Sequence, residues 1–209
     1  MIELLNIDCM EYMKSCKNNK FDLAIVDPPY GLERFKNGIG KNDRHTVKTK
    51  NPIFNNNTPT DEYWSELFRV SINQIVWGAN NFNLPRTEYF CVWDKKQTVD
   101  NFASAEYAWC SMGLKKPAKI FHYGIHQHNR DEAGYKIHPT QKPIKLYEWL
   151  LQHYAKPGNS IVDTHLGSGS SAIAAHYGGF DFVGCEINKS YYDLALERFK
   201  KETAQESLF

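Results

Sequence analysis

The alternation of apolar and polar positions divides this chain into short strands and helices. Residues 2–7 and 21–26 read as strands, with a short helix between them from Asp8 to about residue 15. Thr60 stands where it can cap a helix reaching to about residue 72, with Tyr63, Trp64, Leu67 and Phe68 as its apolar stripe. Strands are expected over 74–77, 89–93 and 118–123, with a helical stretch over 102–109. The last third is the most regular. A helix over 143–154, begun by a proline, leads to a strand over 160–163, a helix over 169–177, a strand over 180–186 and a helix over 190–201. That alternation calls for a doubly wound, mostly parallel α/β sheet with helices on both faces.

Two stretches show no period. Residues 31–59 are dominated by Gly, Asn, Lys and Thr, and so long a loop inside a compact domain is usually functional. It holds Arg34, Lys36, Lys41, Arg44, Lys48 and Lys50 against only Glu33 and Asp43. The whole chain of 209 residues has a formal charge of only +1, so any electrostatic case for nucleic acid is local to such segments. Residues 124–138 carry His126, His128, Arg130, Lys136 and His138. With His122 beside them these histidines invite a metal reading, but their spacing matches no zinc pattern, and no metal is expected.

Length suits one domain. Cys9, Cys16, Cys91, Cys110 and Cys185 are odd in number and scattered, which points to a reducing compartment rather than a disulfide framework. The N-terminus lacks a basic region followed by an apolar run, and no stretch approaches a membrane span. The expectation is a soluble, cytoplasmic protein with no membrane partner.

The candidate chemistry gathers at two strand ends. Asp27-Pro28-Pro29-Tyr30 follows the strand over 21–26, where open α/β sheets place their ligands. The two prolines remove backbone donors, Asp27 adds a carboxylate acceptor, and Tyr30 adds a flat ring with a polar tip. Such a cluster suits an amine held in the plane of a base. Farther on, residues 167–172 read Gly-Ser-Gly-Ser-Ser-Ala between a strand and a helix, and Glu186 ends the next strand where a ribose-binding carboxylate is expected. Both NAD and S-adenosylmethionine fit such a loop. Asp163, before the glycines, favours a cationic ligand over a pyrophosphate.

On these residues the chain resembles the β class of DNA amino-methyltransferases that use S-adenosylmethionine. Asp27 to Tyr30 match the family's (D/N/S)-P-P-(Y/F/W) motif in its adenine-N6 form. His138-Pro139-Thr140-Gln141-Lys142-Pro143 is similar to its H-P-(T/A)-(Q/E)-K-P segment. Asp163-Thr164-His165-Leu166-Gly167-Ser168-Gly169-Ser170 follows its D-P-F-x-G-S-G-T loop, with Thr164 and His165 departing from the pattern. The motif order, catalytic segment first and cofactor segment last, is the permuted order of that class.

The resemblance implies a circularly permuted, seven-stranded Rossmann-like sheet, with the N-terminal strand paired beside the strand over 180–186. It implies one methyltransferase domain over 1–209, with a catalytic segment over 1–123, DNA-contacting loops over 31–59 and 124–137, and a cofactor segment over 138–209. Asp8, Thr140, Lys142, Asp163, Gly167, Ser168, Gly169, Ser170 and Glu186 are then expected at S-adenosylmethionine, with Thr140 and Lys142 at its methionine end. Asp27 and the Pro28 carbonyl are expected to receive the N6 amine of an adenine flipped out of duplex DNA, with Pro29 holding the turn and Tyr30 stacked on the base. DNA contacts are expected from Arg34, Lys36, Lys41, Arg44, Lys48, Lys50, His126, His128 and Arg130. Base reading falls to those segments or to a second subunit, as in a homodimer. Rival readings are a cytosine-N4 methyltransferase, an NAD-dependent oxidoreductase and an inactive DNA-binding subunit, and RNA is an alternative substrate.

Overall fold

The computed structural model describes residues 1–31, 57–100, 103–132 and 136–204. In chain order the elements are β1 (Ile2–Leu5), α1 (Cys9–Ser15), β2 (Phe21–Val26), α2 (Asp61–Val70), β3 (Ser71–Trp77), β4 (Phe90–Asp94), β5 (Ala105–Cys110), β6 (Lys119–His122), α3 (Ile125–Asp131), α4 (Ile144–Tyr154), β7 (Ser160–Asp163), α5 (Ser170–Tyr177), β8 (Asp181–Cys185) and α6 (Lys189–Thr203). Asp8, Thr60 and Asn188 cap α1, α2 and α6 with side-chain oxygens that accept backbone N–H bonds.

Among the described residues one sheet holds eight strands in the order β1-β8-β7-β2-β3-β5-β4-β6, one more than the sequence implies. Only β5 runs against the rest. β1 pairs parallel with β8, so the two ends of the chain meet in the sheet, as the permuted order requires. The central strands are apolar throughout because both faces are covered. Leu23, Ile25, Ile75 and Trp77 pack with Leu146, Leu150, Ala172 and Ala195 of α4, α5 and α6. Ala24, Val26 and Val76 pack on the opposite face with Met13 of α1 and with Tyr63, Trp64 and Leu67 of α2.

Two local expectations change. Residues 105–110, overlapping the stretch expected to be helical, form β5, antiparallel to both β3 and β4. The run Ala-Glu-Tyr-Ala-Trp-Cys has helix formers, but filling the gap between two strands satisfies its backbone on both sides, and that tertiary pairing decides. The irregular segment over 124–138 contains α3, which buries His128 at 5% exposure.

Leu150 is fully buried in the first core layer, whereas Ile120 on the edge strand β6 is 56% exposed. Leu150→Ala should cost about 2–5 kcal/mol in urea unfolding through transfer and cavity terms. Ile120→Ala should stay within about 0.5 kcal/mol.

Candidate active site

Adjacent strands β2 and β7 send the chain to opposite faces of the sheet: β2 is followed by α2 on one face and β7 by α5 on the other. Their carboxyl ends therefore open a crevice at a topological switch point, where such sheets bind ligands. A cavity of about 520 Å³ occupies it. Its wall takes residues 27–30 after β2, residues 164–168 after β7, residues 186–188 after β8 and residues 8–10 after β1. Residues 57–60, residues 140–142, His138, Tyr63, Tyr147 and Tyr191 complete the wall.

Asp27 sits at the centre of a buried polar cluster. Its Oδ1 accepts the Tyr30 hydroxyl, and its Oδ2 lies 2.5 Å from Lys142 Nζ. Lys142, 4% exposed, also donates to the Tyr30 hydroxyl at 3.1 Å and lies 3.1 Å from Glu106 Oε2. Burial disfavours the Lys142 ammonium, but Asp27 and Glu106 overcome that and raise its pKa well above the ordinary lysine value. Burial pushes Glu106 up, yet Lys142 and Lys95 hold it at about 2. Lys142 and Glu106 are therefore both charged at neutral pH.

Gly78, at φ +66, lets Tyr30 occupy its place: a Cβ there would lie 2.1 Å from Tyr30 Cε1. Phe82 meets the Tyr30 ring edge-on at 6.1 Å between centroids.

On the cofactor side Glu186 Oε2 accepts the Gly167 N–H at 3.0 Å and Oε1 accepts the Asn188 N–H at 2.8 Å. Two of its lone-pair sites remain for a ligand. Thr140 Oγ1 lies 3.2 Å from His138 Nδ1, and the His138 ring packs on Tyr191 at 4.5 Å. Burial, assisted by Lys142, lowers the His138 pKa to about 3, and burial lowers that of His165 to about 4. Both rings are neutral at pH 7. Asp8, Asp27 and Glu186 then face the cavity with Lys142 as the one cation among its described lining residues. A cationic sulfonium fits that balance better than a pyrophosphate.

Of the residues expected at the cofactor, Asp8, Thr140, Lys142, Gly167, Ser168 and Glu186 line the cavity. Asp163, Gly169 and Ser170 stand behind it. Asp163 is 1% exposed and accepts the His165 N–H at 3.0 Å and the Ser171 hydroxyl at 2.6 Å, so it braces the loop from beneath. The Lys142 ammonium is tied to Asp27 and Glu106 within the buried polar cluster. Arg34, Lys36, Lys41, Arg44, Lys48 and Lys50 lie outside the described residues. His126 and Arg130 are exposed on α3, whereas His128 is buried with its Nε2 3.3 Å from Glu132 Oε2, which removes it from any surface for DNA.

The structure adds residues that the sequence does not mark. Glu132 accepts the Ile144 N–H at 2.8 Å, Gln141 Nε2 at 3.0 Å and Arg198 Nη2 at 2.7 Å. Arg198 Nη1 in turn donates to the Ser168 carbonyl and the Ser170 hydroxyl at 3.0 and 2.9 Å. Tyr63 and His165 both reach the Thr164 hydroxyl, at 2.7 and 2.9 Å, at the two positions that depart from the D-P-F pattern.

Burial raises the Asp163 pKa to about 7, outweighing the bonds from Ser171 and His165 that favour its charged form. The fold therefore binds this proton more tightly than the unfolded chain, whose carboxyl titrates near about 3.9. Its stabilising contribution is full below about pH 4 and is lost as pH rises towards 7. The depressed His138 and His165 act with the opposite sign, so the comparison must be between variants. Asp163→Asn should remove the Asp163 component. Urea midpoints over pH 4–7 should show the variant's stability declining less with pH than that of the unaltered chain.

The family model for DNA methylases, which spans adenine-N6 and cytosine-N4 enzymes, matches residues 46–197. The chain is 25% identical to the type II methyltransferase M.HinfI of Haemophilus influenzae over 246 aligned positions, covering 95% of this chain and 68% of that one. It is 22% identical to the type II methyltransferase M2.DpnII of Streptococcus pneumoniae, covering 95% and 90%. The crystal structure of the M1.HpyAVI–SAM complex superposes with a TM-score of 0.60 at 19% identity, covering 95% of this chain and all of that one. The chain thus belongs to the S-adenosylmethionine-dependent DNA amino-methyltransferases, the family that methylates the adenine N6 or cytosine N4 amine.

Proposed function

We propose that this chain methylates the N6 amine of adenine in DNA. The observation that carries the reading is the fixed Asp27 carboxylate, set beside the Tyr30 ring in the cavity that Glu186 and the glycine loop also line. An exocyclic amine is a poor nucleophile because its lone pair is delocalised into the ring. Asp27 and the Pro28 carbonyl accept its two N–H bonds and favour a pyramidal nitrogen, while Tyr30 stacks on the flipped base. Bound S-adenosylmethionine supplies an electrophilic methyl group on a sulfonium. What the chain contributes is orientation and a preorganised charge pattern.

Asp8, Thr140, Gly167, Ser168 and Glu186 are assigned to the cofactor because they line the cavity. Glu186 is assigned to the ribose hydroxyls, and His126 and Arg130 to DNA. The basic segment over 31–59 is assigned to DNA because residues 30 and 57, on either side of its undescribed part, both line the cavity. The five free cysteines suit the reducing cytoplasm.

Cytosine N4 presents the same two N–H bonds to the same acceptors, and the family includes both activities. Asp at the first motif position favours adenine. Incubation with labelled S-adenosylmethionine and plasmid DNA, followed by nucleoside analysis, should yield N6-methyladenine; N4-methylcytosine in its place would reassign the base.

Asp27→Ala should abolish transfer while leaving cofactor affinity by calorimetry close to that of the unaltered chain. Near-normal turnover in that variant would remove the mechanism. Glu186→Ala should weaken S-adenosylmethionine binding by about 1–3 kcal/mol, and an unchanged dissociation constant would place the ribose elsewhere.

A further inference from the structure

We infer that Glu106 is a positioning residue for methyl transfer: it holds the Lys142 ammonium, which in turn fixes the Asp27 carboxylate that receives the target amine. The inference rests on the proposed role of Asp27 and goes beyond it, because Glu106 belongs to none of the motifs that mark the family.

Lys142 has three protons to donate. Asp27 Oδ2 at 2.5 Å and the Tyr30 hydroxyl at 3.1 Å receive two of them, Glu106 Oε2 lies 3.1 Å from the nitrogen as an ion partner without a hydrogen bond, and the Trp77 ring lies 5.6 Å away. The ammonium is thus held from three directions by side chains that follow or belong to β2 and β5. Glu106 is anchored in its turn by Lys95 Nζ at 2.5 Å, and Lys95 lies over the Trp93 ring at 4.9 Å. Charges alternate along this row, from Lys95 through Glu106 and Lys142 to Asp27.

Glu106 does not line the cavity, so it acts on a bound base only through the lysine. Asp27 Oδ2 accepts from the ammonium and Oδ1 from the Tyr30 hydroxyl, so each oxygen keeps a lone-pair site for an incoming amine, and the ammonium fixes how the carboxylate presents them. Without the Glu106 charge the ammonium has a single anion to follow, and the direction of its bond to Asp27 is no longer fixed. The other groups facing Lys142 are Tyr30 beside Asp27, Tyr147 from α4 and the neutral His138; none of them replaces that charge at pH 7.

The test uses the full chain, labelled S-adenosylmethionine and unmethylated plasmid DNA under single-turnover conditions. Glu106→Gln, Lys142→Met, their double variant and Asp27→Ala are compared, with cofactor affinity and thermal unfolding measured on each. Glu106→Gln should slow transfer about 10- to 100-fold, as expected for a displaced reacting group, with cofactor affinity unchanged within about twofold. In the Lys142→Met background the same change should have no further effect on the rate. The alkaline limb of the transfer rate should also move to lower pH in Glu106→Gln, because Lys142 loses one of its two anions. Glu106→Asp keeps the charge but draws it back by one methylene; it should give an intermediate rate, and it serves if the glutamine variant fails to fold.

A normal rate in both Glu106 variants overturns the inference, as does an equal slowing with and without Lys142. If Asp27→Ala is inactive while the Glu106 variants are normal, the functional reading stands and this inference alone falls. Absence of transfer by the unaltered chain overturns both.

Discussion

The site depends on one buried cation. An ammonium withdrawn from water costs several kcal/mol unless it is closely paired, and removing one partner of such a pair leaves the other charge uncompensated. Lys142 meets that requirement with two carboxylates that are far apart in sequence, Asp27 at the end of β2 and Glu106 in β5. The pairing therefore does more than neutralise charge. It ties the segment before α4 to the centre of the sheet and to its one reversed strand. Lys142, which reads from sequence as a cofactor contact, lines the cavity and is paired with Asp27 and Glu106 as well.

A second ion pair supports the other half of the cavity from behind. Arg198 holds the glycine loop by the Ser168 carbonyl and the Ser170 hydroxyl, and its other nitrogen meets Glu132. Glu132 holds Gln141 and the first N–H of α4. The two cavity-lining segments, residues 140–142 and 164–168, are thus joined on the side away from solvent, with Arg198 3% exposed. A site required to hold two reactants in line gains from walls whose rotamers are fixed by such outer contacts. His128 Nε2 also approaches Glu132, at 3.3 Å, so this histidine of a polar stretch faces inward towards the same carboxylate.

The legible parts were those in which local sequence and local structure coincide. Asp27 to Tyr30 follow a strand in which Ala24 and Val26 face one layer and Leu23 and Ile25 the other, and that pattern needs no distant partner to be recognised. The glycine loop and Glu186 were legible for the same reason. Glu106, Glu132 and Arg198 were not, because each matters through a residue far away in sequence, and a lone acid or arginine carries no local signature. β5 was misread because its composition favours helix, while its strand identity comes from β3 and β4 on either side. At Asp163 the pattern places a carboxylate at the strand end, and packing directs its oxygens to the His165 N–H and the Ser171 hydroxyl, contacts that the pattern does not carry.

The glycine loop shows why a motif alone leaves the ligand open. Gly167 and Gly169 both adopt positive φ, at +53 and +77, and glycine is the residue that does so without strain. A Cβ on Gly169 would reach only ordinary contact with Ala195 of α6, at 3.4 Å, so the left-handed backbone rather than space calls for glycine there, and that requirement carries no information about a phosphate. The ligand is selected by charge instead. His138 and His165 are kept neutral by burial, and Lys142 is committed to its two carboxylates. No uncommitted cation remains among the described lining residues to meet a pyrophosphate, while the carboxylates of Asp8 and Glu186 remain to meet a positive centre. One backbone loop can therefore serve nicotinamide and methyl-donor enzymes alike, and here the residues across the cavity decide between them.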